Sequence, residues 1–446
     1  MLTRSKIHQF TDKIIKASDA DMTTVSIAGE REALTRFSNN EITQNVDSIR
    51  YSFTIRCVYG NKVGVVSGTS LEVKNIKKFL EIAKQIALNQ KTGKRIFSLP
   101  EMQQYKTCKG FDKSTEDITP QMRANNVRSA VKLCIKEKIS GAGIMSNNVV
   151  SYAIANSKGL FAFNENSNAT FSITAQTKNS SGWSEDSQTS IKKLNVLHDA
   201  EIAIKKAKMS KNPKSIDAGK YTVILEPAAV ADIISFLSYT VFNGLRYAEG
   251  RTFLSKKMGQ RVADIKINLY DDPYIEGIGG MPFDFEGFPK KRLSLIEKGI
   301  FKEIPTDRRV ADMLKMENTG HSLGADDEYG PLPLNLHIEK GDKSIEDMIK
   351  STKKGILVTQ FHYVNILDPI KTLITGMTRN GIFLIENGSL KHGLKNLRFT
   401  QSIMDTLMNV DMLGNKILIQ SGGFGGGFSV PAMKVRDFHF TSKTEF

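Results

Sequence analysis

The chain has 446 residues and a mass of 49.6 kDa, enough for two to four domains of roughly 100–200 residues with large cores. With 40% hydrophobic residues and 34 glycines its composition is that of an ordinary globular protein, which excludes a disulfide miniprotein, a disordered chain and collagen. The surplus of 62 Lys+Arg over 47 Asp+Glu, a net charge of +15, raises nucleic acid as a partner. However, the pairs Lys77-Lys78, Lys192-Lys193, Lys205-Lys206, Lys256-Lys257 and Lys353-Lys354 are scattered over helix-like segments, and helix-turn-helix, zinc-finger and RNA-recognition patterns are absent, so solvated surface is favoured over a nucleic-acid groove.

Along the chain, Arg4, Lys6, Asp12 and Lys13 stand where an export signal needs an apolar core. Tyr51, Phe53, Ile55 and Cys57 alternate as in a strand, Gly60-Asn61 turns, and residues 62–67 return, which predicts a hairpin. Val73, Ile76, Leu80, Ala83 and Ala87 then mark an amphipathic helix with Ser70 as its cap. Residues 90–119 read as a linker, and Thr119-Pro120 opens a helix with Val127, Ala130, Val131 and Cys134 on its buried stripe. Strands flank a turn at 156–159, and Asp199 opens a helix through about Met209. Tyr221–Leu225 is a short apolar strand that Glu226-Pro227 joins to a helix over 228–243. That stretch is the most apolar of the chain, but Asp232 interrupts it, and no window offers the roughly 18 apolar residues of a membrane span. Asn380-Gly381 and Asn387-Gly388 predict hairpin turns, because both residue types tolerate positive φ. The expected architecture is α+β: α/β regions over 1–95 and 112–213, followed by a large strand-rich domain over 218–446.

Cys57, Cys108 and Cys134 form no CxxC pair, which suits free thiols in a reducing cytoplasm. No GxSxG elbow, P-loop or GxGxxG fingerprint is present. The glycine run 422–427 is expected to allow a bulged or closely packed backbone near a sheet end, with phosphate or peptide contact as the alternative. The seven histidines form no HExxH pair. A dispersed site would need Asp271, Asp272, Asp284, Glu286 and His321 to converge. The plainer reading makes Asp271-Asp272-Pro273 a strand end, residues 284–287 a turn and His321 a hydrogen-bonded loop residue.

The segment Arg36-Phe37-Ser38-Asn39-Asn40-Glu41-Ile42-Thr43-Gln44-Asn45, followed by Arg56, Gly60 and Gly64, resembles the N-terminal motif of the TldD/PmbA family, the "modulator of DNA gyrase" metallopeptidases. Residues 249–254, Gly259, Asp271-Asp272-Pro273, residues 283–287, Thr319-Gly320-His321 and residues 385–388 continue the family's order and spacing. Residues 373–381 and 396–400 resemble the stand-alone TldD-related branch. The resemblance implies dimer assembly, cytoplasmic residence and cleavage of unfolded peptide in a sheltered chamber. Active members carry HExxxH on the helix after the strand that here is Tyr221–Leu225, plus a distant cysteine ligand. Here Ser235 and Thr240 stand in the place of the two histidines and Phe236 in that of the glutamate, and no cysteine follows Cys134. The expectation is therefore a PmbA (TldE)-like, metal-free subunit without zinc or another cofactor, paired with itself or with a HExxxH-bearing paralogue. An active hydrolase with a dispersed site is the alternative, and a nucleic-acid-associated regulator ranks last. Asp272, Glu286 and His321 are the weak catalytic candidates. Glu226, Arg251, Asp284 and Arg379 are the candidates for peptide contact or cleft structure. Arg251 is expected to pair with Asp272 or Glu286, and alanine at Arg251 or Glu286 is expected to cost more than at His321.

Overall fold

A computed structural model describes residues 1–91, 93, 95–421 and 426–444. The first half comprises α1 (Arg4–Ala17), β1 (Met22–Ser38), β2 (Glu41–Tyr59), β3 (Lys62–Gly68), α2 (Ile76–Leu88), α3 (Lys113–Glu116), α4 (Pro120–Lys136), β4 (Ser140–Asn156), β5 (Phe161–Gln176), β6 (Ser181–Gln188) and α5 (Val196–Met209). Its six strands form one antiparallel sheet in the order β3-β2-β1-β4-β5-β6. The regions 1–95 and 112–213 thus share a sheet, joined where β1 pairs β4 from Thr24↔Asn156 to Phe37↔Gly143. Val25, Ile27 and Phe37 lie on the same face of β1, because strand side chains alternate. Over that face α1 and α2 cover a cluster with Val25, Ile27, Phe53 and Ile55, and α4 and α5 cover a second with Phe37, Phe171 and Ile173.

The helix after β3 starts later than its pattern suggests. A 3-10 turn at Val73–Asn75 intervenes, Asn75 is the N-cap, and Ser70 does not cap it. Its contact with the hairpin is close: a Cβ on Gly64 would lie 1.7 Å from the Ala83 carbonyl oxygen. Thr119 does cap α4, its side chain accepting from Met122 N at 3.2 Å. Arg123 of α4 is 0% exposed and donates to Asn147 Oδ1 at 2.9 Å, Asn45 Oδ1 at 3.1 Å and the Val46 carbonyl at 3.2 Å, so that its buried fork is hydrogen-bonded.

The second half comprises β7 (Gly219–Leu225), α6 (Pro227–Ile234), α7 (Leu237–Thr240), α8 (Gly244–Ala248), β8 (Leu269–Asp271), β9 (Leu293–Glu297), β10 (Ile300–Phe301), α9 (Arg308–Leu314), β11 (Asn335–Ile338), α10 (Ile345–Lys350), β12 (Lys354–Asp368), β13 (Leu373–Glu386), β14 (Ser389–Gly393), β15 (Leu397–Ser402), α11 (Ile403–Met408), β16 (Val410–Ser421) and β17 (Gly427–Lys443). Strands β7, β12, β13, β15 and β17 close into a ring, because β7 pairs β12 in parallel and β17 antiparallel. From β17 the sheet continues through β11, β8 and β9 to β10. The largest apolar core packs α6 against this sheet. Among the described residues no helix is long and apolar enough to cross a membrane.

Two local expectations are corrected. Asn380 and Gly381 have positive φ, 56° and 112°, yet they lie inside β13. Val358 pairs Ile382 and Gln360 pairs Arg379, so the two residues form a bulge opposite Thr359. The predicted helix over 228–243 breaks after Ile234 into α6 and α7. Asn387-Gly388 does turn β13 into β14. Residues 422–425 of the glycine run lie outside the described residues. A Cβ on Gly426 would lie 1.9 Å from the Leu334 carbonyl oxygen and one on Gly427 2.4 Å from that of Ile278, so these two positions are closely packed.

Candidate functional site

The sheet face not covered by helices turns toward the second half. Alternation on β4 points Tyr152 and Ile154 that way, where Ile154 packs with Phe283 in a cluster that Tyr152 adjoins. Two cavities occupy this cleft, of about 630 Å³ and about 580 Å³. Both are lined by Tyr152 and Phe285, whose rings meet edge to face with centroids 5.0 Å apart.

The larger cavity has Thr24, Ser26, Thr54 and Arg56 of β1 and β2 on one wall. Arg56 pairs with Asp326 at 2.7 Å. Opposite, Glu286 pairs with Arg308, with both side chains mostly buried, and the Arg308 guanidinium lies over the rings of Phe97 at 5.2 Å and Phe288 at 5.3 Å. Polar strand side chains, two ion pairs and several rings therefore face one another.

Behind the smaller cavity lies a buried polar cluster built by loop ends. β8 stops at Asp271, which is 0% exposed, and His321 is 1% exposed. Asp271 Oδ2 stands 2.8 Å from His321 Nε2, His321 Nδ1 stands 2.9 Å from Thr319 Oγ1, and Asp271 Oδ1 accepts from Asn335 N at 2.6 Å. Burial alone would raise the Asp271 carboxyl, but the hydrogen bond and charge of His321, with Lys290 and Asn335 N–H, hold it below its ordinary value. Asp284 closes the 284–288 turn, accepting from Glu286 N at 3.0 Å, Phe288 N at 2.9 Å and Ser322 N at 3.1 Å. Burial and the charge of Glu286 nevertheless push its carboxyl up to about 7. Lys290, 5% exposed, has its amine pushed down by burial, against the attraction of Asp271, Asp284 and Cys108.

The predicted site residues are only partly together. Glu286 lines the larger cavity, while Asp284 and His321 sit in the cluster behind the smaller one. Asp272 accepts from Tyr274 N at 2.9 Å and pairs with Arg292 at 3.2 Å. Arg251 pairs with neither Asp272 nor Glu286. Its partner is Glu249, two residues away and exposed, while Glu286 is engaged by Arg308. Glu226 pairs with Lys206 of α5 at 2.6 Å, and Arg379 lies 2.5 Å from His362 Nε2 in an exposed position. Among the described residues, no three His, Cys, Asp or Glu side chains come together at metal-binding spacing. Lys290 was not singled out by the sequence, because only the tertiary fold buries it while its neighbour Lys291 stays exposed.

At the α6–α7 break, the Ser235 hydroxyl donates to the Asp232 carbonyl at 3.0 Å and the Thr240 hydroxyl to the Phe236 carbonyl at 2.5 Å. Both donors are thus committed to the local backbone. The break is tied to the ring through Asp232, which accepts from Phe361 N at 2.9 Å and whose carboxyl burial pushes up to about 6.

Comparison with known families decides the kinship. The PmbA/TldA metallopeptidase C-terminal domain matches residues 218–442, domain 1 matches 25–87 and the central domain matches 110–211. The chain belongs to the TldD/PmbA family. It is similar to a metalloprotease of Methanocaldococcus jannaschii, 30% identical over 222 residues, 49% of each chain. It is also similar to a metalloprotease of Methanothermobacter thermautotrophicus, 24% identical over 236 residues, 52% of this chain and 50% of the relative. The match thus spans about half the length of these relatives. Its fold is that of TldE from Thermococcus kodakarensis, with a TM-score of 0.85 and 22% identity over 98% of this chain and 99% of that one.

Proposed function

We propose that this TldD/PmbA-family chain is a PmbA (TldE)-like subunit that binds unfolded peptide in the cleft between its two halves and has lost the zinc ligands of the family's peptidases. The observation that carries the reading is the α6–α7 break. Ser235, Phe236 and Thr240 are two hydroxyls already bonded to carbonyls and one phenyl ring, side chains that do not fit a zinc ion or a general base. The cleft supports the peptide part of the reading. The hydroxyls of Thr24, Ser26 and Thr54 offer polar contact to any backbone, and Tyr152, Phe285 and Phe97 offer apolar surface without shape selectivity. The dispersed-site alternative is disfavoured because His321 has both ring nitrogens engaged at 1% exposure and the Asp284 carboxylate is filled by backbone N–H groups. Assembly with itself or with a HExxxH-bearing paralogue is part of the proposal, because a subunit without the metal site would need a partner for any cleavage.

Elemental analysis of the purified protein tests the metal part: the expected result is far below one zinc per chain, and one tightly held zinc per chain would overturn it. Fluorescence anisotropy of a labelled unfolded peptide tests the binding part, with Phe285→Ala expected to weaken binding and peptide indifference counting against it. Light scattering should give about twice 49.6 kDa for a self-dimer.

A further inference from the structure

The smaller cavity has an unusual floor. Lys290 is 5% exposed and lines it, and among the described residues its ammonium is met by the longer-range attraction of Asp271, Asp284 and Cys108 and not by a direct hydrogen bond or ion pair. Beside it on the lining is Asn335, 1% exposed, whose side-chain Nδ2 is buried with no hydrogen-bond partner. A buried donor such as Asn335 Nδ2 left without an acceptor is costly, and most native ones are satisfied. Both residues are held from behind. Lys290 N donates to the Pro282 carbonyl at 3.0 Å and its own carbonyl accepts from Tyr274 Oη at 2.9 Å. Asn335 is fixed by its backbone bond to Asp271. The two donors are therefore positioned, and the remaining lining includes the apolar side chains of Met281, Phe285 and Leu334.

We propose that this cavity binds a carboxylate, with Lys290 Nζ as its counter-ion, Asn335 Nδ2 as its second donor, and the apolar wall against the rest of the ligand. One ammonium and one amide donor match a planar monoanion. A phosphate dianion fits worse, because Asp271 and Asp284 lie close enough to Lys290 to act on its charge, and their field would repel a second negative charge. A carboxylate can accept from the Lys290 ammonium and from Asn335 Nδ2 at once through its two oxygens, whereas a neutral amide offers one oxygen and no charge. The carboxylate has two sources, the C-terminal end of a peptide or a free small acid. The peptide source rests on the function proposed above, and the free-acid source does not.

Calorimetric titration of the full chain separates these. The probes are an N-acetylated pentapeptide of alanine with a free C-terminus, the same peptide as its C-terminal amide, and sodium hexanoate. The expected result is that the free-acid peptide binds at least tenfold tighter than the amide, and that Asn335→Ala and Lys290→Met each weaken the acid at least tenfold while the amide is unaffected. Hexanoate binding as tightly as the peptide would also support the site and assign it to a free acid. Equal binding of acid and amide peptides would overturn the carboxylate inference and leave peptide binding standing. Binding of none of the three would overturn both. The acid–amide comparison is made on the unaltered protein, so it decides the matter even if Lys290→Met fails to fold.

Discussion

Replacing His321 by alanine probes the most deeply buried ionisable pair in the cleft region. Asp271 and His321 side chains are both 0% exposed and 2.8 Å apart. Without the imidazole, the Asp271 carboxylate would keep the Asn335 N–H at 2.6 Å and the more distant charge of Lys290, while the space left would admit no bulk solvent at once. Breaking one side of a fully buried pair costs roughly 3–5 kcal/mol. For a folding unit of about 150–250 residues each kcal/mol lowers Tm by about 2–4 °C, so the main calorimetric transition should fall by about 6–20 °C. The pH dependence gives a second reading. Asp271 is held below its ordinary value, so its stabilising contribution is complete above about pH 4 and is lost as pH falls through its folded-state pKa. The gap between wild type and variant should therefore be widest near neutrality and shrink in acid. In a double-mutant cycle with Asp271→Asn, the two substitutions should cost less together than the sum of each alone. A Tm change under 2 °C at neutral pH, or strict additivity in the cycle, would show that Asp271 and His321 do not stabilise the fold as a pair. This reverses the order expected from the sequence for His321 and Arg251, while Glu286, mostly buried in its pair with Arg308, remains a costly loss.

Arg251→Ala should change stability by less than about 0.5 kcal/mol, because its pair with Glu249 is exposed and local; urea titration checks this. Gly64→Ala should destabilise by about 1–3 kcal/mol or more by forcing α2 off β3, where the new Cβ would lie 1.7 Å from a carbonyl oxygen, and the loss should appear in the transition of the first half. Asp199, 5% exposed, has its carboxyl pushed up to about 6 by burial. A raised carboxyl favours the fold below the unfolded pKa, and that contribution is lost as pH rises through 6. Asp199→Asn should therefore gain about 1–3 kcal/mol on wild type between pH 4 and pH 7, and a gain independent of pH would count against it.

Much of the fold was legible because one-sided burial writes a period into the sequence. Thr119-Pro120 marked the start of α4, and Val127, Ala130, Val131 and Cys134 its buried stripe, as the helix shows them. The first half of β2 was missed for the opposite reason: residues 41–50 are exposed on nearly every position, so no alternation is selected. The α6–α7 break was hidden because residues 228–234 are buried almost all round, which reads as helix whether or not the axis continues. Asn380-Gly381 misled because positive φ serves a bulge as well as a turn. At the site, the sequence offered Asp271, Asp272, Asp284, Glu286 and His321 only as a set that would have to converge, and which of them meet, like the pairing of Arg251 with Glu249, depends on which loop reaches which, which sequence order does not record.

The ring in the second half has a consequence for how the chain is made. β17, which follows every other described strand, hydrogen-bonds to β7, β11, β15 and β16, and its partner β7 emerges some two hundred residues earlier. Until β17 leaves the ribosome, β7, β11 and β15 each lack a neighbour, and their open edges offer unpaired backbone groups to other chains. The six-stranded sheet has no such dependence and can complete during translation. A nascent chain stalled before residue 427 would then carry a finished first half and a second half with those edges still open.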